Sequence, residues 1–254
     1  MLTQEQIDFF HDNGFLVMRQ VFRGEELRML QEAAEAVSRQ GRRREGEHHL
    51  YANAGDGGEK VYWRSEKMWT RGDIFLAVTL NPTLLENIGQ IIGEPFMPYN
   101  DSLVVKVPYR GAPDVWPQDP PYNMPEWSEP FPAPNFTTDI YLDESDPENG
   151  CVYAIPGHHL VGHVDLKGKT HEELIRDYGA VPVLMQPGDV LFHSISTPHG
   201  SGPNRSARQR RIFYIHYMSK RVKDKFYPHW QTAADIEGKA FLERMAAARE
   251  RLGF

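Results

Sequence analysis

Two residues near the end of the chain, His199 and Arg210, have side chains that could together hold a metal-bound carboxylate. His199 stands in the segment STPHGSGPN, whose glycines and prolines favour tight, non-helical backbone. A neutral imidazole can bind a metal ion, and a guanidinium can bind a carboxylate through two parallel hydrogen bonds. We predict a strand at residues 190–192, a polar turn centred on His199, and a returning strand that Arg210 opens. The two side chains would then lie on adjacent antiparallel strands, within reach of one cofactor.

A hairpin without any cofactor is the alternative interpretation of the same segment. His199 would then be a surface histidine, since single histidines have many uses in proteins. The arginines near it would form a solvated basic cluster made of Arg205, Arg208, Arg210 and Arg211. The residue types alone do not decide between the two interpretations.

The elements that must position these residues are short strands separated by proline and glycine turns. We predict strands at residues 15–18, 102–107, 135–142, 151–155, 190–192 and 211–217. Helices are predicted at residues 4–13, after a capping-box pattern of Thr3 and Gln6, and at 24–39, 74–92, 172–178 and 235–252. Strands flanked by helices at both ends predict an antiparallel barrel or a double-sheet jelly roll.

Two segments are read as loops. Residues 41–72 are charged and glycine-rich, and their aromatic side chains could form a lid over a site or belong to a merely mobile loop. Residues 108–134 contain nine prolines, and the same segment contains Trp116 and Trp127. Tryptophans of both segments could cover a substrate, although core packing is their commoner role.

Composition excludes several classes of partner. The chain has 254 residues, of which 40% are hydrophobic, and a formal net charge of −7. That charge argues against nucleic acids and anionic membranes as partners, because both need a positive surface. Cys151 is the single cysteine, so no intrachain disulfide can form, and no apolar run approaches the length of a membrane span. We expect a cytoplasmic protein.

Several segments, in the same order, resemble the phytanoyl-CoA dioxygenase family of iron(II)/2-oxoglutarate oxygenases. They are LTQEQIDFFHDNGFLVMRQVF, DPENGCVYAIPGHHLVG, and GDVLFHSISTPHGSGPNRS with the arginine pair that follows. In the second, His158 stands where the family usually has serine. The resemblance implies a mainly β fold, a double-stranded β-helix of the cupin jelly-roll type with flanking α-helices, in one domain spanning residues 1–254.

The same resemblance assigns roles to five residues. Asp119 and His199 are implied as catalytic residues that bind the metal, and Arg210 as the partner of the far carboxylate of 2-oxoglutarate. Lys106 and Ser201 are implied as further polar contacts to that cofactor. The cofactors implied are iron(II) and 2-oxoglutarate.

One residue departs from the family pattern. The family supplies its first metal histidine and its carboxylate as His-x-Asp within WHQD, whereas this chain reads WPQD, with Pro117 in place of the histidine. A proline offers no lone pair to a metal, and iron(II) of this class needs two histidines and one carboxylate. Either another histidine replaces the missing one, or Asp119, His199 and 2-oxoglutarate hold iron weakly, or metal binding is lost. The candidate replacements are His48, His49, His158 and His193, of which His193 is the least favoured because its strand position would direct it away from His199.

Two functions follow as hypotheses. The first is an oxygenase that uses iron(II) and 2-oxoglutarate to oxidise a C–H bond of a small organic substrate. The second is a metal-free descendant of the fold, acting as a binding protein, as a subunit that supports an active relative, or as a non-oxidative enzyme of isomerase or lyase type. The survival of His199 and Arg210 favours the first hypothesis, and Pro117 favours the second.

Overall fold

The strands of this protein form two antiparallel sheets. The structure, a computed structural model, describes residues 1–54, 57–113, 118, 136–166, 168–229 and 231–254. The strands of these ranges are β1 (Phe15–Met18), β2 (His49–Asn53), β3 (Lys60–Glu66), β4 (Phe96–Lys106), β5 (Phe136–Tyr141), β6 (Val152–Ala154), β7 (Val181–Pro182), β8 (Val190–Ser194), β9 (His199–Ser201) and β10 (Arg210–Ser219). The major sheet has the order β1-β8-β5-β10-β4-β3-β2, and the minor sheet has the order β7-β6-β9.

Helices flank the sheets at both ends of the chain. They are α1 (Gln4–Asn13), α2 (Gly24–Arg43), α3 (Asp73–Thr79), α4 (Pro82–Ile92), α5 (His171–Tyr178), α6 (Lys220–Phe226), α7 (Ala233–Glu237) and α8 (Lys239–Leu252). The predicted capping box at Thr3 is confirmed, because its side chain accepts from the Gln6 amide and the Gln6 side chain accepts from the Thr3 amide. Within the described ranges, no helix combines the length and the apolar character that crossing a membrane requires.

The side chains of β10 alternate between two surroundings, and this alternation defines the inside of the barrel. Phe213 belongs to the large apolar core under the helices, whereas Ile212 belongs to a smaller cluster that also holds Val152 and Ala154 of the minor sheet. The face that carries Ile212 therefore looks toward the minor sheet, and Arg210 lies on that face two residues earlier. Two antiparallel sheets that face each other in this way form a double-stranded β-helix, so the predicted mainly β fold with flanking helices is confirmed.

The prediction of a loop at residues 41–72 is wrong. Strands β2 and β3 pair with each other, and β3 pairs with β4, so the hairpin extends the major sheet. Tyr62 and Trp69 are buried, with 3% and 6% of their surface exposed, and the Trp69 indole N–H donates to Thr79 Oγ1 at 2.9 Å. These two aromatics belong to the core and not to a lid, because Tyr62 packs against Gly41 of α2 and Trp69, in the turn after β3, packs against Phe241 of α8.

Two predicted helices are each divided in the structure. The helix expected at residues 74–92 breaks at Asn81, whose side chain caps α4 by accepting from the Leu84 amide at 3.1 Å. Pro82 then occupies the first turn of α4, where its missing N–H is no loss. The helix expected at residues 235–252 breaks at Gly238, which has a φ of 56°. Short polar caps and glycines therefore decide helix boundaries that the apolar pattern alone runs across.

Candidate active site

His199 begins β9 and faces the major sheet. It pairs with Ala154 of β6, a member of the apolar cluster between the sheets. The prediction that His199 is the centre of a turn is therefore wrong, as is the prediction that it lies on a strand adjacent to Arg210. Strand β9 belongs to the minor sheet and β10 to the major sheet, so the two side chains come from opposite walls of the barrel.

A backbone carbonyl sets the tautomer of His199. Its Nδ1 lies 2.9 Å from the Thr197 carbonyl oxygen, which can only accept a hydrogen bond. Nδ1 therefore carries the proton, and the lone pair resides on Nε2. An imidazole fixed in this way by a backbone acceptor is the form that binds metal ions.

His193 lies against His199, contrary to the expectation that its strand position directs it elsewhere. The two rings have centroids 4.5 Å apart and planes tilted by 54°. His193 is buried on β8, where its Nε2 bonds the Thr137 hydroxyl and lies 3.5 Å from Asp139 Oδ2. The sequence reasoning missed this cluster, although an inward-facing row of Thr137, Asp139 and His193 follows from strand alternation once the register is known.

The other three histidines named as replacements lie elsewhere. His49 Nδ1 is bonded to Ser65 Oγ at 2.7 Å on the β2–β3 hairpin. His158 Nδ1 is bonded to the Pro156 carbonyl at 3.1 Å. His48 has its side chain 39% exposed. None of the three has a ring contact with His199 among the described residues.

Arg210 is buried to 1% exposure in the interior of the barrel. Its Nη1 donates to the Gly150 carbonyl at 2.7 Å, and its Nε has no acceptor among the described residues. No carboxylate of the described chain forms an ion pair with it. Its neighbours differ, because Arg211 is paired with Asp143 at 2.8 Å and Arg208 with Asp146 at 2.7 Å. The interpretation of Arg210 as part of a solvated basic cluster is therefore wrong.

Lys106 stands directly opposite Arg210 in the register of β4 and β10. It is fully buried, and its Nζ donates to the Ala112 carbonyl. Gly150, with a φ of 79°, makes room for this arrangement: a Cβ there would lie 2.9 Å from Lys106 Cδ and 2.6 Å from the Gly202 carbonyl oxygen. Two cationic side chains thus lie side by side inside the barrel, which concentrates positive charge in one place.

Ser201 lies on the same inward face of β9 as His199, two residues further along. It is buried to 2% exposure and pairs with Val152 of β6. Asn204 and Ser206 shape the following turn, as expected: the Asn204 amide donates to the Arg208 carbonyl at 2.6 Å, and the Ser206 hydroxyl donates to Asn204 Oδ1 at 2.9 Å.

Asp119 and Pro117 lie outside the described residues, as do Trp116 and Trp127. Gln118, which stands between Asp119 and Pro117 in the sequence, is described and buried. Among the residues that the structure covers, no group of three histidine, cysteine, aspartate or glutamate side chains is arranged to hold a metal ion.

The described residues fit the two implied cofactors unequally. An unsatisfied buried guanidinium beside a buried ammonium fits a carboxylate of 2-oxoglutarate. For iron(II), His199 fits as one ligand through its Nε2, but the described residues alone do not complete a ligand set. The described residues thus fit the carboxylate of 2-oxoglutarate better than they fit the metal ion.

Residues 10–212 match the family model described as phytanoyl-CoA dioxygenase. That range covers well over half of the chain. The chain belongs to the phytanoyl-CoA dioxygenase family. Family members are oxygenases of the iron(II)/2-oxoglutarate class, and this membership agrees with a fold that places Arg210 and His199 on facing walls.

Two relatives and one solved structure are similar to this chain over most of its length. The chain is 28% identical over 218 residues to the methylphosphonate hydroxylase of Gimesia maris, covering 85% of this chain and 80% of that protein. It is 25% identical over 237 residues to dioxygenase lolE1 of Epichloe uncinata, covering 90% and 89%. The structure of EctD from S. alaskensis with 2-oxoglutarate and 5-hydroxyectoine superimposes with a TM-score of 0.70 at 19% identity, over 86% of this chain and 76% of that one. The last likeness shows the fold.

Proposed function

We propose that this member of the family is an iron(II)- and 2-oxoglutarate-dependent oxygenase that oxidises a small organic substrate. In this proposal Arg210 binds the far carboxylate of 2-oxoglutarate, with Lys106 and Ser201 as further polar contacts. His199 and Asp119 bind iron(II). The observation that carries the proposal is the buried Arg210 guanidinium, whose Nε has no acceptor among the described residues.

The energetics of Arg210 support an anionic ligand. Removing a charged group from water costs several kcal/mol, and most buried arginines offset that cost with a carboxylate partner. Lys106, whose Nζ donates to the Ala112 carbonyl, lies opposite Arg210 as a second buried donor. A dianionic cofactor offsets the cost of burying Arg210, because its far carboxylate can accept from the guanidinium and the ammonium together.

Gln118, next to Asp119 in the sequence, is anchored by its side-chain amide. Its side-chain amide donates to the Ser196 carbonyl at 2.8 Å and to the Gly162 carbonyl at 2.8 Å, and its Oε1 accepts from the Val164 amide at 2.8 Å. Ser196 lies three residues before His199. The three hydrogen bonds therefore anchor Gln118 beside the segment that carries His199.

In the proposed reaction the protein's residues bind the cofactor, orient it and keep water away from it. Bound iron(II) with 2-oxoglutarate supplies the oxidative decarboxylation that drives oxidation of a C–H bond. Arg210 and Lys106 fix the far end of the cofactor, and the carbonyl of Thr197 keeps the His199 lone pair on Nε2. The apolar cluster between the sheets, which includes Leu191 and Ile212, keeps water away from the cofactor.

His193 is our candidate for the missing histidine. Of the four histidines considered, it is the one whose ring lies against His199. Asp139 and Thr137 hold its Nε2, in the way that carboxylates and hydroxyls commonly orient metal-binding imidazoles through their second nitrogen. His193 would then bind iron(II) through Nδ1.

A metal-free role is the second candidate function, and Pro117 is the observation that favours it. A chain with proline at that position and no substitute ligand would keep the carboxylate pocket and lose the metal. Such a protein would bind a dicarboxylate, or catalyse a non-oxidative reaction with the polar side chains of the barrel.

Anaerobic titration of chelator-treated protein with iron(II), with and without 2-oxoglutarate, separates the two functions. The oxygenase requires near-stoichiometric iron by metal analysis and the visible charge-transfer band of iron-bound 2-oxoglutarate. Both should be lost in His199→Ala and in His193→Gln and kept in His158→Ala, a control on a histidine away from the site. Iron retained in His193→Gln would place the third ligand elsewhere. No binding by the wild type, restored by Pro117→His, would establish the metal-free role.

The 2-oxoglutarate half of the proposal has its own test. Arg210→Met should weaken 2-oxoglutarate binding by roughly 100-fold, the equivalent of about 3 kcal/mol for a charged hydrogen-bonded pair. Arg208→Met, the same change on a half-exposed arginine two residues away, is the control and should leave the affinity unchanged. Equal affinities for both variants would reject Arg210 as the carboxylate partner.

A further inference from the structure

Tyr141 is a fully buried tyrosine whose hydroxyl has no hydrogen-bond partner among the described residues. It ends β5, pairs with Ile212 of β10, and belongs to the apolar cluster between the two sheets. Buried tyrosine hydroxyls normally find a partner. Tyr217 shows the usual arrangement in the same protein, since it is equally buried and its hydroxyl donates to the Thr79 carbonyl at 2.8 Å. The Tyr141 hydroxyl can therefore donate to an acceptor that the described residues do not supply, such as a bound ligand.

The surroundings of Tyr141 indicate the charge of that acceptor. Tyr141 pairs with Ile212, which lies two residues after Arg210 on the same inward face of β10. Arg210 is bonded to the carbonyl of Gly150, next to Cys151, and its charge acts on both the Tyr141 hydroxyl and the Cys151 thiol. The unsatisfied hydroxyl and the unsatisfied guanidinium thus belong to one buried region. An anion placed there satisfies both.

The protonation state of Tyr141 suits it to donate a hydrogen bond. Burial raises the pKa of the hydroxyl well above its usual value, the Asp139 carboxylate raises it further, and the charge of Arg210 only partly opposes that rise. Tyr141 therefore remains neutral and keeps its proton across the physiological range. A carboxylate is a stronger acceptor than a neutral carbonyl, so it gains most from such a donor.

We infer that the Tyr141 hydroxyl is a further hydrogen-bond donor to the far carboxylate of 2-oxoglutarate, completing a pocket with Arg210 and Lys106. The inference rests on the proposed function for the identity of the ligand. It adds a residue that the sequence motifs do not contain, because Tyr141 reaches the pocket from β5 through strand pairing. A pocket with three donors holds any dicarboxylate of suitable length, with or without a metal.

Removing only the hydroxyl tests the inference. Tyr141→Phe should weaken the binding of both 2-oxoglutarate and glutarate by roughly tenfold, the effect of losing one hydrogen bond to a charged group. Glutarate has the same far carboxylate but no keto group to chelate a metal, so it reports on the pocket alone. Affinities are measured by calorimetry and by ligand-induced thermal shift at millimolar ligand, on chelator-treated protein and on protein with iron(II). Tyr217→Phe is the matched control and should leave both affinities within twofold of the wild type.

The melting temperature without ligand provides a second test, because the two variants should differ in the direction of its change. Tyr141→Phe should melt at the same temperature as the wild type or higher, because it removes an unsatisfied buried hydroxyl. Tyr217→Phe should melt lower, because it leaves the Thr79 carbonyl without its donor. A Tyr141→Phe variant that melts lower than the wild type and binds dicarboxylates equally well would show that the hydroxyl has a structural partner, which overturns the inference.

The outcomes separate this inference from the proposed function. If dicarboxylates bind, and Tyr141→Phe weakens them, while iron(II) does not bind, the pocket stands and the oxygenase proposal fails. If iron(II) and 2-oxoglutarate bind and Tyr141→Phe binds 2-oxoglutarate as tightly as the wild type, the oxygenase proposal stands and the inference fails. If the wild type binds neither 2-oxoglutarate nor glutarate under any of these conditions, the inference is rejected.

Discussion

Arg210 and Arg211 are adjacent in the sequence and both buried, yet their surroundings are opposite. Arg211 points to the outer face of the major sheet, where Asp143 accepts from its Nε and Nη2 at 2.8 Å each. Glu35 of α2 lies 3.3 Å from its Nη1. Arg210 points inward, and its Nη1 donates to the Gly150 carbonyl. Arg211 is paired with carboxylates of the fold, whereas the Nε of Arg210 has no acceptor among the described residues, as the proposed contact with 2-oxoglutarate requires.

The free energy of unfolding should therefore respond differently when each of the two arginines is replaced by methionine. Arg211→Met leaves Asp143 without its cation and should lower the free energy of unfolding by about 3 kcal/mol. Arg210→Met removes an uncompensated buried charge and should leave that free energy unchanged or raise it by about 1 kcal/mol. Urea denaturation of the two variants without ligand is the measurement. A large loss in Arg210→Met would mean that the guanidinium has a structural partner in the folded chain.

The sequence could identify candidate residues, but it could not show on which face of a strand each side chain lies. His199 and Arg210 were found from the glycine-rich segment and the family motif, and both lie inside the barrel. Tyr141 could not be found in this way, and His193 was the least favoured candidate, because each reaches the site through the register of β5 or β8. Which face of a strand is inward depends on a pairing between segments that are distant in the chain, and a one-residue change of register reverses it.

At the scale of elements, local signals predicted the helix ends better than the strand partners. Thr3 capped α1 as expected, because a capping box needs only four consecutive residues. The hairpin of β2 and β3 was missed, since its stabilisation comes from β4 and from burial of Tyr62 under α2 rather than from its own charged sequence. Pairing with a sheet that is completed by distant residues overrides weak local propensity.

Asp101 shows how a single carboxyl joins two elements. It lies on β4, is buried to 3% exposure, and accepts from the Trp69 amide at 2.7 Å in the short 3₁₀ turn Met68–Thr70. Burial raises its pKa to about 7, although the amides of Trp69 and Met68 oppose the rise. The folded state therefore binds a proton at Asp101 that the unfolded chain releases near pH 4.

Asp101 therefore makes a contribution to the free energy of unfolding that falls as the pH rises. Because the pKa is raised in the folded state, the contribution of Asp101 is fully present below pH 4 and is lost as the pH rises to about 7. Between pH 5 and pH 8 the wild type should lose about 2–3 kcal/mol relative to Asp101→Asn, which cannot titrate. Denaturant unfolding of both proteins across that range checks the difference. A constant difference across the range would mean that Asp101 is ionised throughout.

At the scale of the whole molecule, the C-terminal helix is part of the main core although the family match ends before it. The match covers residues 10–212, whereas α8 lies beyond it. Phe241 of α8 is fully buried, with its ring centroid 5.1 Å from that of Trp69. Arg249 is paired with Glu26 of α2 at 2.8 Å. Helix α8 therefore packs into the main core and is joined to α2 by an ion pair.

We propose on this ground that residues 1–254 form one domain, and the cooperativity of unfolding tests it. Differential scanning calorimetry of the whole chain should show a single transition, because α8 cannot separate without exposing Phe241 and Met245, both fully buried. Phe241→Ala should lower the free energy of unfolding by about 3–4 kcal/mol and move the whole transition. Lys239→Ala, at an exposed position two residues earlier on α8, should leave it in place. Two transitions, of which Phe241→Ala moves only one, would instead show that the C-terminal helices form a separate unit.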